Sequence, residues 1–119
     1  MLVVEDDFLI SMELEAVLRQ EDFQILGPAS SVAAALRTLQ GERPDAAVLD
    51  VSLRGEWVTP VAEVLRQMEV PYVLTSAYAA EDLAVEPSLA AARNLGKPTP
   101  AAKLIAAVRQ LLEPSQRPD

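Results

Sequence analysis

A doubly wound α/β domain, with about five parallel strands and helices on both faces of the sheet, is the fold the sequence predicts. Three observations predict it. Short apolar runs alternate with amphipathic stretches along the whole chain. The runs show no polar alternation, as expected of strands buried on both faces. The stretches between them carry apolar stripes at helical spacing. Strand–helix alternation with right-handed crossovers gives a parallel sheet with its ligand site outside the carboxyl ends of the strands.

The elements follow in order. Leu2–Val4 is the first strand, and Glu5, Asp6 and Asp7 follow it. Asp7 is placed to cap the first helix, whose stripe is Ile10, Leu14, Val17 and Leu18. The apolar run Phe23–Leu26 reads as the second strand. Ser30 or Ser31 caps a second helix with stripe Val32, Ala35, Leu36 and Leu39, which Gly41 and Pro44 end. Ala46–Leu49 is the third strand and runs into Asp50. Thr59-Pro60 offers a cap and a first-turn Pro for a third helix, with stripe Val61, Val64, Leu65 and Met68. Tyr72–Leu74 is the fourth strand and ends in Thr75-Ser76. The segment Ala79–Ala92 is Ala-rich with Pro87 in its middle, so a helix there should be short, broken or mobile. Arg93–Leu95 is a weaker fifth strand, followed by Gly96, Lys97 and Pro98. Thr99-Pro100 repeats the cap signal before a last helix with stripe Leu104, Ile105, Val108, Leu111 and Leu112. One domain over 1–113 and a fraying tail over 114–119 are expected. A strand beginning at Leu2 is what a chain trimmed at its front would show, and the sequence leaves open whether another domain follows.

Composition narrows the chemistry. The 119 residues are 50% apolar, enough for a core and too apolar for a disordered chain. The formal charge is -8, which argues against nucleic acid or an anionic membrane surface as a direct partner. The absence of Cys excludes a disulfide framework and thiolate chemistry. The absence of His excludes a Ser-His-Asp triad, a histidine base and imidazole ligation. A metal would have to sit on oxygen, which favours Mg2+, Mn2+ or Ca2+. No apolar run is long enough to span a membrane, and Met1–Asp7 lacks a basic n-region, so a soluble, cytoplasmic protein is expected.

The carboxyl edge of the expected sheet gathers Glu5, Asp6, Asp50, Ser76 and Lys97. Singly, each has an ordinary reading: a helix cap, a turn Asp, a strand-end hydroxyl, a solvated lysine. Together they form one constellation. Clustered carboxylates repel unless a cation joins them. An Asp beside a divalent ion, a hydroxyl and an ammonium is equipped to accept a phosphoryl group.

At these positions the chain resembles the receiver domain of two-component response regulators. The resemblance rests on Val3-Val4-Glu5-Asp6, Val48-Leu49-Asp50, Val70-Pro71 followed by Ser76-Ala77-Tyr78, and Lys97-Pro98, and covers nearly the whole chain. It implies a flavodoxin-like five-stranded fold with Asp50 as phosphoacceptor. Glu5 and Asp6 would be the acidic pair of a Mg2+ (or Mn2+) site, Asp6 the more direct ligand and Glu5 acting through water, completed by Asp50 and the Ser52 backbone carbonyl. Ser76, rather than Thr75, would be the phosphate-binding hydroxyl and Lys97 the phosphate-binding lysine, with a cis Lys97–Pro98 bond. The partners implied are a histidine kinase or histidine phosphotransfer protein, an output protein, and a second copy of the chain as a homodimer. The domain would be no enzyme in its own right, but a bacterial phosphoprotein that assists its own phosphorylation and dephosphorylation. Phosphorylation would pull Ser76 inward and shift the Leu95–Leu112 face.

Two positions depart from the family's usual pattern. Arg54 stands where Pro is usual, and Asn94 where a Tyr or Phe changes rotamer on activation. The Leu53-Arg54-Gly55 and Ser76-Ala77-Tyr78 sequences and the weak fourth helix are similar to a divergent, often single-domain alphaproteobacterial subgroup. Tyr78 is either a substitute aromatic or a partly packed loop residue, and Trp57 reads as packing at a helix start. Two other functions fit parts of the pattern. One is a receiver fold used for protein contact without phosphorylation. The other is an Asp-nucleophile phosphatase of the haloacid-dehalogenase type, against which stands Asp50-Val51-Ser52, lacking a second Asp.

Overall fold

The computed structural model describes residues 1–113; the tail expected over 114–119 lies outside the described residues. The chain runs β1 (Leu2–Val4), α1 (Phe8–Gln20), β2 (Leu26–Ala29), α2 (Val32–Gly41), β3 (Ala47–Leu49), β4 (Ser52–Leu53), β5 (Glu56–Trp57), α3 (Thr59–Gln67), β6 (Tyr72–Leu74), α4 (Ala80–Leu83), α5 (Pro87–Ala90), β7 (Arg93–Asn94) and α6 (Ala101–Leu111). The main sheet has the order β2-β1-β3-β6-β7, all parallel. Among the described residues, no helix is long and apolar enough to cross a membrane.

The strands are apolar throughout because both faces are covered. Leu2, Val4, Ala47, Leu49 and Leu74 pack with Val32, Ala35, Val61 and Leu65 of α2 and α3. The alternate residues Val3, Val48 and Val73 pack with Leu14 and Leu18 of α1 and Leu104 and Val108 of α6. The period of two along each strand thus divides one apolar run between two cores.

Local signals explain most element boundaries. Asp7 caps α1, its Oδ1 accepting from Leu9 N at 2.9 Å and Ile10 N at 3.2 Å. Ser31, not Ser30, caps α2 through Ala34 N at 3.1 Å. The Thr59 and Thr99 caps do not form. Val58 holds the cap position of α3 and Thr59 is already helical, so Pro60 sits in the second helical position. Pro100 holds the cap position of α6, and the Thr99 hydroxyl donates instead to Gly96 O.

The second strand lies further along than its apolar run, at Leu26–Ala29 in place of Phe23–Leu26. Phe23 and Ile25 pack on the α1/α6 core from outside the ladder. As an edge strand, β2 tolerates Pro28, which has no N–H to donate. Gly27 has φ +94°, and a Cβ there would come within 2.7 Å of Ala29 N, so only glycine fits. The Gly27–Pro28 and Lys97–Pro98 bonds are both cis.

The weak fourth helix resolves into two single turns, α4 and α5, with Pro87 opening the second. Leu83 and Leu89 anchor them in the α2/α3 core, while Val85 stays exposed. The antiparallel β4–β5 hairpin was not expected from the sequence. Its turn residues Arg54 and Gly55 have φ 52° and 84°, the doubly left-handed signature of a type I′ turn.

Candidate functional site

The backbone ladder continues past the strand ends and fixes where the polar side chains emerge. Glu5 N donates to Ala29 O, Asp50 N to Val4 O, Thr75 N to Leu49 O and Leu95 N to Leu74 O, at 2.8–3.0 Å. Glu5, Asp50, Ser76 and Lys97 therefore leave neighbouring strands at one edge of the sheet. Three of them are almost fully enclosed: Glu5 is 1% exposed, Asp50 6% and Ser76 3%.

Lys97 ties the carboxylates together. Its Nζ lies 3.1 Å from Glu5 Oε1 and 3.1 Å from Asp50 Oδ2. Glu5 Oε2 accepts from Asp7 N at 3.0 Å. Asp6 turns toward the hairpin, where Arg54 N donates to Asp6 Oδ2 at 2.9 Å. A Pro at position 54 could neither make this bond nor adopt φ 52°. The Arg54 departure is thus coupled to the orientation of Asp6.

The electrostatics follow from crowding. Burial pushes the Glu5 carboxyl up to about 7, with the neighbouring Asp50 adding to the push while the Asp7 N–H and Lys97 oppose it. Partial burial also pushes Asp6 upward. Hydrogen bonds with the Arg54 N–H and with the Glu5 and Asp50 carboxyls outweigh it and hold Asp6 below its usual value. Burial pulls the Lys97 ammonium down, but its bonds to Glu5 and Asp50 win and raise it above the ordinary lysine value.

Glu5, Asp6 and Asp50 each offer a carboxylate oxygen, and these atoms lie within 4.8 Å of one another. Glu5 Oε1 is buried and makes no hydrogen bond, despite its proximity to Lys97 Nζ. An all-oxygen donor set, in which the buried Glu5 Oε1 is held by its ion pair with Lys97 alone, fits a hard divalent cation. Ser52 begins β4 two residues beyond Asp50.

Ser76 sits in a second hydrogen-bonded knot. Its Oγ accepts from Tyr78 N at 2.9 Å, and its N–H donates to Asn94 Oδ1 at 3.0 Å. Tyr78 packs on Trp57, with ring centroids 5.4 Å apart at 39°. Trp57 ends the hairpin directly before the α3 cap position and packs on the α2/α3 core, as expected, and its contact with Tyr78 links the loop after Asp50 to the loop after Ser76. Sequence reasoning missed the roles of Arg54 and Asn94. The signals were present: an X-Gly dipeptide between two short strands, and Asn two residues before Gly, the spacing of an Asx turn.

Comparison with known proteins identifies the family and the fold. Residues 1–109 match the family model described as response regulator receiver domain. Transcriptional regulatory protein PdtaR of Mycobacterium tuberculosis is 30% identical over 69% of the chain, and the match spans 40% of that longer protein. The BeF3-activated SdrG of Pseudomonas melonis Fr1 superposes with TM-score 0.76 at 35% identity, covering 94% of each chain. The PhyR response regulator REC domain of Erythrobacter litoralis gives TM-score 0.86 at 28% identity, over 99% of this chain and 92% of that one.

Proposed function

The chain belongs to the response regulator receiver family of two-component systems, and on that premise we propose that it is a phosphoacceptor whose Asp50 takes a phosphoryl group from a partner's phosphohistidine. One observation carries the reading. Asp50, nearly buried at the end of β3, is held 3.1 Å from the Lys97 ammonium within a cluster of oxygen ligands suited to Mg2+. The chain contains no His, so the donor imidazole lies outside these 119 residues.

In the transfer, an Asp50 carboxylate oxygen attacks phosphorus in line. A P–O bond forms to Asp50 as the P–N bond to the donor imidazole breaks, and the nitrogen keeps the electron pair. Glu5, Asp6, Asp50 and the Ser52 carbonyl are the residues that would hold Mg2+, which supplies charge neutralisation at the phosphoryl oxygens when bound. Lys97 is placed to exchange its contact with Asp50 for one with a phosphoryl oxygen. The Ser76 hydroxyl accepts from Tyr78 N and keeps its own hydrogen to donate to another.

A donor protein must approach from this edge of the sheet. Phe8, Leu9 and Met12 at the start of α1 are exposed beside it and supply apolar contact area. The phosphorylated Asp50, with its added negative charge of about 1.5 to 2, would draw in Ser76 and Lys97 and alter the surrounding loops for a binding partner.

The test is incubation with acetyl phosphate, or with a phosphorylated histidine donor, in the presence of Mg2+. One phosphoryl mass should be gained by the wild type with Mg2+, and none when EDTA is present from the start. Equal uptake by Asp50→Asn would sink the assignment.

A further inference from the structure

Asn94 occupies the end of β7, where the resemblance leads one to expect an aromatic side chain. It is not a vacant position. Asn94 Oδ1 accepts two backbone N–H groups, from Ser76 at 3.0 Å and from Gly96 at 3.0 Å. Its Nδ2 faces Tyr78 O at 3.4 Å. Gly96, at φ +86°, turns the chain so that its N–H points back to Asn94, and Lys97 follows directly.

The position of this bridge matters. The backbone ladder between β6 and β7 ends with Leu95 N to Leu74 O at 2.8 Å. Beyond it, among the described residues, no backbone hydrogen bond joins the Ser76 segment to the Lys97 segment. Asn94 spans the two chain ends where the hydroxyl and the ammonium leave the sheet. One amide oxygen with two lone pairs suffices for both donors.

We propose that Asn94 is a positioning residue whose carboxamide sets the spacing between the Ser76 hydroxyl and the Lys97 ammonium, so that both meet the same phosphoryl group. The inference rests on the phosphoacceptor reading and deepens it. An aromatic ring could not hold these two N–H groups, so the Asn is a different device from a rotating aromatic: a fixed bridge. The bridge leaves the Ser76 hydroxyl hydrogen uncommitted, since Oγ serves Tyr78 N as acceptor only.

The experiment compares wild type, Asn94→Ala, Asn94→Asp and Asn94→Tyr. Phosphoryl uptake from acetyl phosphate, Mg2+ affinity by fluorescence of the single Trp57, and amide exchange at Ser76 and Gly96 are measured in each. Asn94→Ala and Asn94→Tyr should lose about tenfold in uptake rate, roughly 1.4 kcal/mol of barrier. Their Ser76 and Gly96 amides should exchange faster, with Mg2+ affinity unchanged. Asn94→Asp retains the acceptor oxygen and should recover most of the rate and the protection. Uptake by Asn94→Ala within twofold of wild type overturns the proposal. So does a loss accompanied by lower Mg2+ affinity and not rescued by Asp, which would mark general damage to the fold. If the wild type itself takes up no phosphoryl group, the phosphoacceptor reading falls, and the positioning role with it. Slow exchange at Ser76 and Gly96 would then show only that the bridge exists.

Discussion

The most telling single residue is Glu5, an acid enclosed at 1% exposure beside another acid. Its carboxyl moves from 4.5 to about 7, chiefly through burial. A raised carboxyl pKa means the folded chain holds the proton more tightly than the unfolded one. Metal-free stability contributed by Glu5 is therefore greatest below pH 4.5, declines as pH rises through the 4.5–7 window, and is flat above it. Mg2+ affinity should run the other way, rising up to about pH 7 with proton release on binding below that point. Calorimetry in buffers of different ionisation enthalpy would reveal the released proton. Affinity independent of pH between 5 and 8 would contradict the account. Glu5→Gln should raise the metal-free melting midpoint at pH 8, with the gain vanishing toward pH 5, and should weaken Mg2+ binding. The sequence placed Glu5 at the right edge of the sheet. Its shift was not legible there, because it depends on which groups enclose it and how closely Lys97 and Asp50 approach.

At the scale of elements, the β4–β5 hairpin ties the loop after Asp50 to the acidic pair. Gly55→Ala meets no neighbouring atom, so its cost should come from the left-handed backbone alone, about 1–2 kcal/mol. Arg54→Pro should cost more, about 3 kcal/mol or above, since proline cannot take φ 52°, and it should also loosen Asp6. Urea denaturation of the two variants measures both; a neutral Arg54→Pro would show that the turn is not as described. The capping signals in the sequence are unequal in outcome. Asp7 and Ser31 have side chains that reach an open N–H, and removing the Ser31 oxygen with Ala should cost about 1 kcal/mol. Thr59 and Thr99 look equivalent on paper, but one is already inside the helix and the other is spent on Gly96 O. The second strand lies beyond its apolar run for a related reason. Phe23 and Ile25 are apolar because they pack on the α1/α6 core, and the edge ladder forms instead along Leu26–Ala29, irregular across Gly27-Pro28, against β1. Tertiary packing decided that register, and a local apolar count could not.

For the whole molecule, the architecture was legible because the pattern is redundant. Four helical stripes, four short apolar runs and a weaker fifth strand admit one layered arrangement, and the strand order β2-β1-β3-β6-β7 puts the acidic, hydroxyl and ammonium groups on one edge. Core truncation should be felt globally. Leu65→Ala, fully buried between α3 and the sheet, should lower stability by about 2–5 kcal/mol while leaving Mg2+ binding by the folded fraction intact. Chemical unfolding followed by Trp57 fluorescence, with and without Mg2+, separates the two effects. The absence of His and Cys, an exclusion at the level of composition, is compatible with the proposed role, in which the phosphoryl group comes from outside these residues. Three of the eighteen acidic residues, Glu5, Asp6 and Asp50, form a single cluster. The most direct test of the central claim is intact-mass analysis after exposure to acetyl phosphate and Mg2+, comparing wild type with Asp50→Asn. The account predicts one added phosphoryl group on the wild type, lost in mild base, and none on the variant. Equal labelling of both proteins, or none on the wild type with Mg2+ bound, would contradict it.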